Sequence, residues 1–189
     1  MTDNYLPNDY RKFIHTSRYA RWIPSEGRRE SWSETVSRYM TNIIKPVTED
    51  SSDEIEQSIL GNETCPSMRS MMTAGPAAER DNTCMYNCAY LVVDNVVAFD
   101  EAMFILLCGT GVGFSVERQY VSKLPDVPMG IIPSDDVIVV GDSKEGWAKS
   151  LRQLVKHLYA GQMPNWDVSK VRPAGAKLKT FGGRASGPA

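Results

Sequence analysis

The segment 87–117 constrains the fold most, because it alternates between two structural patterns within a short length. "NCAYLVVD" is a short apolar, β-branched run with the length and composition of a buried strand. "AFDEAMFILLCG" then places Phe99, Met103, Leu106 and Leu107 at helical spacing, and "GFSVE" has the composition of another strand. Alternating apolar strands and helices predict an α/β fold.

Alternate glycines, Gly109, Gly111 and Gly113, come directly before the second of these strands. A dinucleotide-binding fingerprint needs a strand, then glycines, then a helix. Here the order is helix, glycines, strand, so the context does not fit a Rossmann site. Glycines at alternate positions favour the close approach of a ligand to the backbone.

The remaining segments predict helices in the N-terminal part of the chain and both helices and strands in the C-terminal part. "SETVSRYMTNII", with Ser31 or Ser33 as the cap, and "DEIEQSIL" predict two helices. "SKEGWAKSLRQLVKHLYAGQ" predicts a long helix that begins at Ser143 and ends before Gly161. "DVIVVGD" and "WDVSKVRP" predict further strands. We therefore expect a helical segment over 1–62 and an α/β part over 63–189.

Composition and charge narrow the class of partner. No apolar run approaches the roughly 20 residues of a membrane span, and no signal peptide is visible, so a soluble cytoplasmic protein without a membrane partner is expected. In "RYARWIPSEGRRESW" the glutamates offset the arginines, which favours a salt-bridged surface over a nucleic-acid site. Residues 142–189 contain nine Lys or Arg and three Asp or Glu. This basic segment suits a phosphorylated small molecule, and a solvated basic tail is the alternative.

The four cysteines, Cys65, Cys84, Cys88 and Cys108, do not have the spacing of a zinc site. Cys84 and Cys88 are spaced C-x₃-C, and no histidine lies near them in sequence, so we expect no metal. Reduced thiols that pack as small hydrophobic groups are one interpretation, and a redox-active cysteine is the other.

Five segments in the same order resemble one enzyme family. They are "YARWIPSEGRRESWSETVSR", "PSMRSMMTAG", "YNCAYLVVD" with "GTGVGFSVE", "DSKEGWA" and "VRPAGAKLKTFGGRASGP". Together they resemble the adenosylcobalamin-dependent (class II) ribonucleotide reductases, of the monomeric ribonucleoside-triphosphate type. The resemblance implies the first half of a ten-stranded α/β barrel, incomplete at its C-terminus, with an insertion resembling the effector site at about 119–170.

The resemblance also implies roles for individual residues. Cys88 matches the first of two barrel cysteines that reduce the ribose and become a disulfide. Cys65, Cys84 and Cys108 match no cysteine with a role and are expected to be structural. The implied substrate-binding residues are Ser67, Arg69, Asn87, Gly109, Gly111 and Gly113, and the implied effector-binding residues are Asp94, Lys179 and Arg184. A surface role for Arg69 and a turn role for Asp94 stay open.

The family's radical cysteine, second redox cysteine and C-terminal cysteine pair have no counterpart here, since no N-P-C-G-E-type motif occurs in the chain. The resemblance therefore implies the N-terminal part of a reductase, inactive alone, as a split subunit, a truncation or an interrupted gene product. The implied cofactor is adenosylcobalamin, bound mainly by the missing part. The implied partners are a ribonucleotide, a dNTP effector, a C-terminal reductase fragment and a thioredoxin-like reductant. The alternatives are a non-catalytic nucleotide-binding or regulatory module and a general redox protein.

Overall fold

The computed structural model describes residues 5–48, 50, 52–178 and 183–188. They form two compact units, Met1–Tyr86 and Asn87–Ala189. The first unit is mainly helical, with a π-helix at Met40–Ile44 and a 3₁₀ turn at Asn82–Met85. Its other elements are α1 (Asp9–Arg18), β1 (Trp22–Ile23), β2 (Arg28–Arg29), α2 (Trp32–Tyr39), α3 (Ser52–Leu60), α4 (Met68–Thr73) and α5 (Pro76–Arg80).

Helix α2 organises the core of the first unit. Ser31 caps it: its hydroxyl accepts from the Glu34 N–H, and the Glu34 carboxylate accepts from the Ser31 N–H at 2.7 Å, a reciprocal capping box. The buried face of α2 then meets α3 and α4 around Val36, Met40 and Met71, which are fully buried. Burying each such side chain stabilises the fold by about 1.5–3 kcal/mol.

A buried ion pair links α2 to the rest of the first unit. Arg38 donates to both carboxylate oxygens of Glu30, at 2.7 and 2.8 Å, and to the carbonyls of Met71 and Ala74 at 2.7 and 3.1 Å. Burial raises the pKa of Glu30, but the hydrogen bonds from Arg38, the Arg21 N–H and Thr35 outweigh it and bring the pKa below its usual range. The glutamate is therefore ionised and holds Arg38, which in turn bonds the carbonyls at the end of α4.

The second unit alternates strands and helices, as the sequence predicted, and the α/β class is confirmed. Strands β3 and β4 form one parallel pair, and β5 and β6 form another, with an irregularity between Pro133 and Val137. Its elements are β3 (Cys88–Val92), α6 (Ala98–Leu107), β4 (Gly111–Ser115), α7 (Arg118–Val121), β5 (Ile132–Val139), α8 (Lys144–Tyr159) and β6 (Gln162–Asp167).

Three details differ from the sequence-based expectations. The last strand lies earlier than "WDVSKVRP", since β6 ends at Asp167 and Arg172 turns to bond Asp142 at 2.9 Å. Strand β3 is open on one face rather than buried on both. On α6, Leu106 and Leu107 are exposed whereas Asp100 is buried, because Asp100 pairs with a cation on α8. Among the described residues, no helix combines the length and apolarity needed to cross a membrane.

Candidate functional site

Cys88 lies at the start of β3, on the open face of the β3–β4 pair. It is a free, exposed cysteine, and its register partner is Gly111. Two residues further along each strand, the exposed Tyr90 pairs with Gly113. Because paired residues of neighbouring strands point to the same face, the thiol shares an open face with two positions that carry no side chain. A ligand on this face reaches both the sulfur and the backbone.

The protein's own packing does not require glycine at 111 or 113. A Cβ at Gly111 would lie 3.5 Å from the Asn87 carbonyl oxygen, and a Cβ at Gly113 would lie 3.7 Å from the Tyr90 ring, both ordinary contacts. Neither glycine has a positive φ angle. Packing among the described residues therefore leaves both positions free to contact a ligand or partner through the backbone.

Gly109 has a different local role, because it ends helix α6. Its φ angle is +84°, and its N–H donates to the Leu106 carbonyl at 2.9 Å while the Thr110 N–H donates to the Ile105 carbonyl at 3.3 Å. This is the Schellman arrangement, in which glycine is favoured at the residue after the cap. Asn87, at the other side of the pair, accepts the Gly111 N–H at 2.9 Å through its carbonyl and so fixes where β4 begins.

Ser67 and Arg69 lie in the first unit, at the start of α4. The Ser67 carbonyl accepts from the Met71 N–H at 3.0 Å, but the Ser67 hydroxyl makes no capping hydrogen bond. Arg69 is half-buried and its Nε atom is buried, so it is not a simple surface arginine. The end of the same helix is fixed by Arg38 through the Met71 and Ala74 carbonyls.

The predicted effector residues fall in two places. Asp94 lies after β3, where the side-chain amide of Asn95 at 2.9 Å and the Lys123 ammonium at 3.4 Å hold the pKa of Asp94 below its usual range. Arg184 donates to the Gly175 carbonyl at 2.8 Å and bridges to Lys177 in a short antiparallel pair. Lys179 lies outside the described residues.

Sequence reasoning missed a charged contact between helices α6 and α8. Arg152 donates to Asp100 Oδ2 at 2.9 and 2.6 Å, and the Asp100 side chain is only 4% exposed. A cavity of about 780 Å³ lies beside this pair, lined by Tyr90, Phe104, Lys149 and other residues of β3, α6 and α8. Arginine at 152 carried no visible signal, because its partner is 52 residues away. Tyr90 was detectable, since it follows Cys88 at the two-residue period of a strand.

Within the described ranges, no group of three or more His, Cys, Asp or Glu side chains is arranged to hold a metal ion. The α6–α8 cavity has Asp100, Glu101 and Glu145 on its wall together with Lys149, Arg152 and Lys156. Half of the twelve lining residues are charged, which is not typical of a site for a corrin, a broad flat macrocycle. We therefore do not assign a corrin to this cavity.

Three comparisons relate the chain to known proteins. Residues 119–189 match the family described as B12-dependent ribonucleotide reductase, insertion domain. The chain is 28% identical to the adenosylcobalamin-dependent ribonucleoside-triphosphate reductase of Lactobacillus delbrueckii subsp. bulgaricus, with 90% of this chain and 32% of that protein covered. It is also 28% identical to the enzyme of the same name from Euglena gracilis, with 96% and 28% covered.

A solved structure shares the fold. The crystal structure of a B12-dependent (class II) ribonucleotide reductase matches 94% of this chain and 34% of that chain, with a TM-score of 0.78 and 22% identity. The chain thus spans about a third of the length of the relatives it matches. The resemblance inferred from the five sequence segments is confirmed: the chain is similar to the adenosylcobalamin-dependent (class II) ribonucleotide reductases.

Proposed function

We propose that this chain is the N-terminal part of an adenosylcobalamin-dependent ribonucleoside-triphosphate reductase and supplies one of its two redox cysteines, Cys88. The observation that carries the proposal is the exposed Cys88 thiol opposite Gly111 on the open face of β3–β4. A ribose beside the sulfur would meet no side chain at the position opposite Cys88. The relatives' names supply the substrate class, ribonucleoside triphosphates.

In this proposal Cys88 acts as a reductant. The 2′ carbon of the ribose loses its hydroxyl group as water, and two thiols supply the two electrons and two hydrogens, leaving a disulfide between Cys88 and a cysteine outside this chain. When bound, adenosylcobalamin supplies the radical that begins the reaction. Its binding is assigned to the part of the enzyme beyond this chain, in keeping with the poor fit of the charged α6–α8 cavity.

Other residues of this chain are assigned to contacts with the substrate nucleotide and with the effector. Gly111 and Gly113, with Asn87, form the backbone surface along which the substrate lies, next to Cys88. Ser67 and Arg69 supply a hydroxyl and a guanidinium, which are good donors to phosphate or ribose oxygens. Asp94, Lys179 and Arg184 contribute to recognition of a dNTP effector. Asp94 suits this role because an ionised carboxylate accepts hydrogen bonds from ribose hydroxyls.

Reconstitution tests the proposal. The chain is combined with a polypeptide covering the rest of the reductase, adenosylcobalamin, a ribonucleoside triphosphate and a thioredoxin-like reductant. Cys88→Ser should abolish deoxynucleotide formation and leave dNTP binding nearly unchanged. Cys65→Ser, which removes the other exposed cysteine, is the matched control and should keep turnover. Turnover that survives in Cys88→Ser would show that this thiol is not the reductant.

The competing function, a non-catalytic nucleotide-binding or regulatory module, predicts a different result. Such a module binds dNTP in isolation but gives no deoxynucleotide in any reconstituted mixture, and Cys88→Ser then changes nothing. Three arginines of the basic segment already have partners within the chain: Arg152 pairs with Asp100, Arg172 pairs with Asp142, and Arg184 donates to the Gly175 carbonyl. The segment therefore offers less free positive charge for a phosphate than its composition suggests.

A further inference from the structure

Cys108 and Lys144 form a partly buried contact between the end of α6 and the start of α8. The Lys144 ammonium lies 3.1 Å from the Cys108 sulfur, although the residues are 36 positions apart in sequence. Cys108 is 1% exposed. A thiol and a primary amine at this distance are two nucleophiles whose atoms need little movement to become bonded. The proposed function uses neither of them.

Both groups are held by fixed helix ends rather than by loops. Cys108 is the cap residue of α6, and its N–H donates to the Phe104 and Ile105 carbonyls at 3.0 and 3.1 Å. Lys144 is the first residue of α8, whose preceding residue Ser143 accepts from the Gly146 N–H at 3.0 Å. The Lys144 ammonium also lies 4.8 Å from the centroid of the Phe104 ring, a cation–π contact. The sulfur–nitrogen geometry is therefore built into the packing of α6 on α8.

We propose that Cys108 and Lys144 are a redox-sensitive modification site, at which hydrogen peroxide joins the sulfur and the nitrogen in a reversible sulfenamide. Peroxide first oxidises the thiol by two electrons to a sulfenic acid and is itself reduced to water. Lys144, after giving a proton to solvent, attacks the sulfur as the neutral amine. The S–N bond forms, the S–O bond breaks, and the hydroxyl leaves as a second water. One thiol, one amine and one peroxide thus give one sulfenamide and two waters.

The position of Cys108 selects this outcome over others. Because Cys108 is 1% exposed, bulky thiols are excluded and mixed disulfides are disfavoured, and even a small oxidant such as peroxide should react with it slowly. Sulfenic acids that have a nucleophile within reach condense with it, whereas isolated ones proceed to sulfinic acid. The amine at 3.1 Å is such a nucleophile. The product ties the C-terminal end of α6 to the N-terminal end of α8, and a thiol reductant releases it.

Peroxide treatment of the full chain tests the site. A Cys65→Ser, Cys88→Ser background removes the exposed thiols, which would otherwise form disulfides. The expected product is lighter by two hydrogens, resists tryptic cleavage after Lys144, gives a linked peptide with Cys108 bonded to Lys144, and returns to its original mass with dithiothreitol. Lys144→Arg keeps the charge but lacks the amine, and should give only oxygen addition at Cys108.

A second measurement needs no substitution at the pair. A lysine-acetylating reagent should modify Lys144 before peroxide treatment and again after reduction, but not in between. Lys149, exposed on the same helix, is the internal control and should react throughout. Each of three results would overturn the proposal. The first is oxygen addition without the loss of two hydrogens, and the second is a loss of two hydrogens that persists in Lys144→Arg. The third is acetylation of Lys144 after oxidation.

Discussion

Cys88 and Gly111 lie opposite each other in a parallel pair of strands, so the one exposed thiol of the second unit faces a position without a side chain. The next pair on the same face, Tyr90 and Gly113, extends the open strip by two residues. The fold does not itself require glycine at either position, because a Cβ there would make only ordinary contacts.

Gly111→Ala should therefore spare stability and impair catalysis. The new Cβ meets only the Asn87 carbonyl oxygen, at 3.5 Å, so the free energy of unfolding should change by about 0.5 kcal/mol or less. In the reconstituted enzyme the methyl group would displace the ribose from Cys88, and kcat/KM should fall about 10- to 100-fold. Chemical denaturation and steady-state kinetics on the same preparation check the two parts. A fall in kcat/KM that is fully explained by a loss of folded protein would contradict a ligand role for this glycine.

Gly146→Ala, in contrast, should destabilise the fold. In an ordinary helix this change stabilises by about 1 kcal/mol, but here the Cβ would lie 2.5 Å from the Gly141 carbonyl oxygen. The backbone must shift, at a cost of about 1–3 kcal/mol. Hydrogen exchange of the α8 amides measures the loss locally. Gly130→Ala is the matched control, since nothing lies within 4 Å of its Cβ, and it should leave exchange unchanged.

Arg152→Met should destabilise the packing of α6 on α8. The substitution keeps much of the apolar stem but removes both hydrogen bonds to Asp100, whose side chain is 4% exposed. A buried carboxylate left without its partner costs about 1–3 kcal/mol. Asp100→Asn in the same background should recover part of this loss, because the buried charge is gone. A double-mutant cycle followed by exchange of the α6 and α8 amides provides the measurement, and strictly additive effects would rule out the coupling.

Acid should weaken the first unit through Glu30. Its pKa is lower in the folded chain than in the unfolded one, so its contribution is complete above the unfolded value of about 4.3 and is lost as the pH falls through the folded pKa. Denaturation followed between neutral pH and strong acid should show this decline. Glu30→Gln should be less stable at neutral pH, and its free energy of unfolding should change less as the pH falls.

Glu34→Gln is the matched control for that titration. Hydrogen bonds from Arg28 lower the pKa of Glu34 to about 2, yet its side chain is 40% exposed, so solvent screens most of the benefit. Glutamine also retains the capping box with Ser31. The fall in the free energy of unfolding of Glu34→Gln in acid should stay close to that of the unmodified chain. A larger change than in Glu30→Gln would show that burial does not decide how much a carboxylate contributes to stability.

The sequence by itself determined the local elements of this protein. The Ser143 cap and Gly161 stop of α8, the Ser31 cap of α2 and the strand at Cys88 all lie where the pattern placed them, because capping and periodicity act over three or four residues. Family segments in the correct order also pointed to Cys88. The last strand was misplaced, since the Arg172–Asp142 contact that turns the chain spans 30 residues.

Only the tertiary structure decided which groups meet. Pairing of β3 with β4 placed Gly111 across from Cys88, and packing of α6 on α8 buried Asp100 against Arg152 and brought Lys144 to Cys108. The apolar residues that share one side of α6 are largely exposed, because the neighbour that covers a helix is not encoded in the helix's own period. Contacts between residues 23 to 52 positions apart depend on register and packing, which no local window of sequence contains.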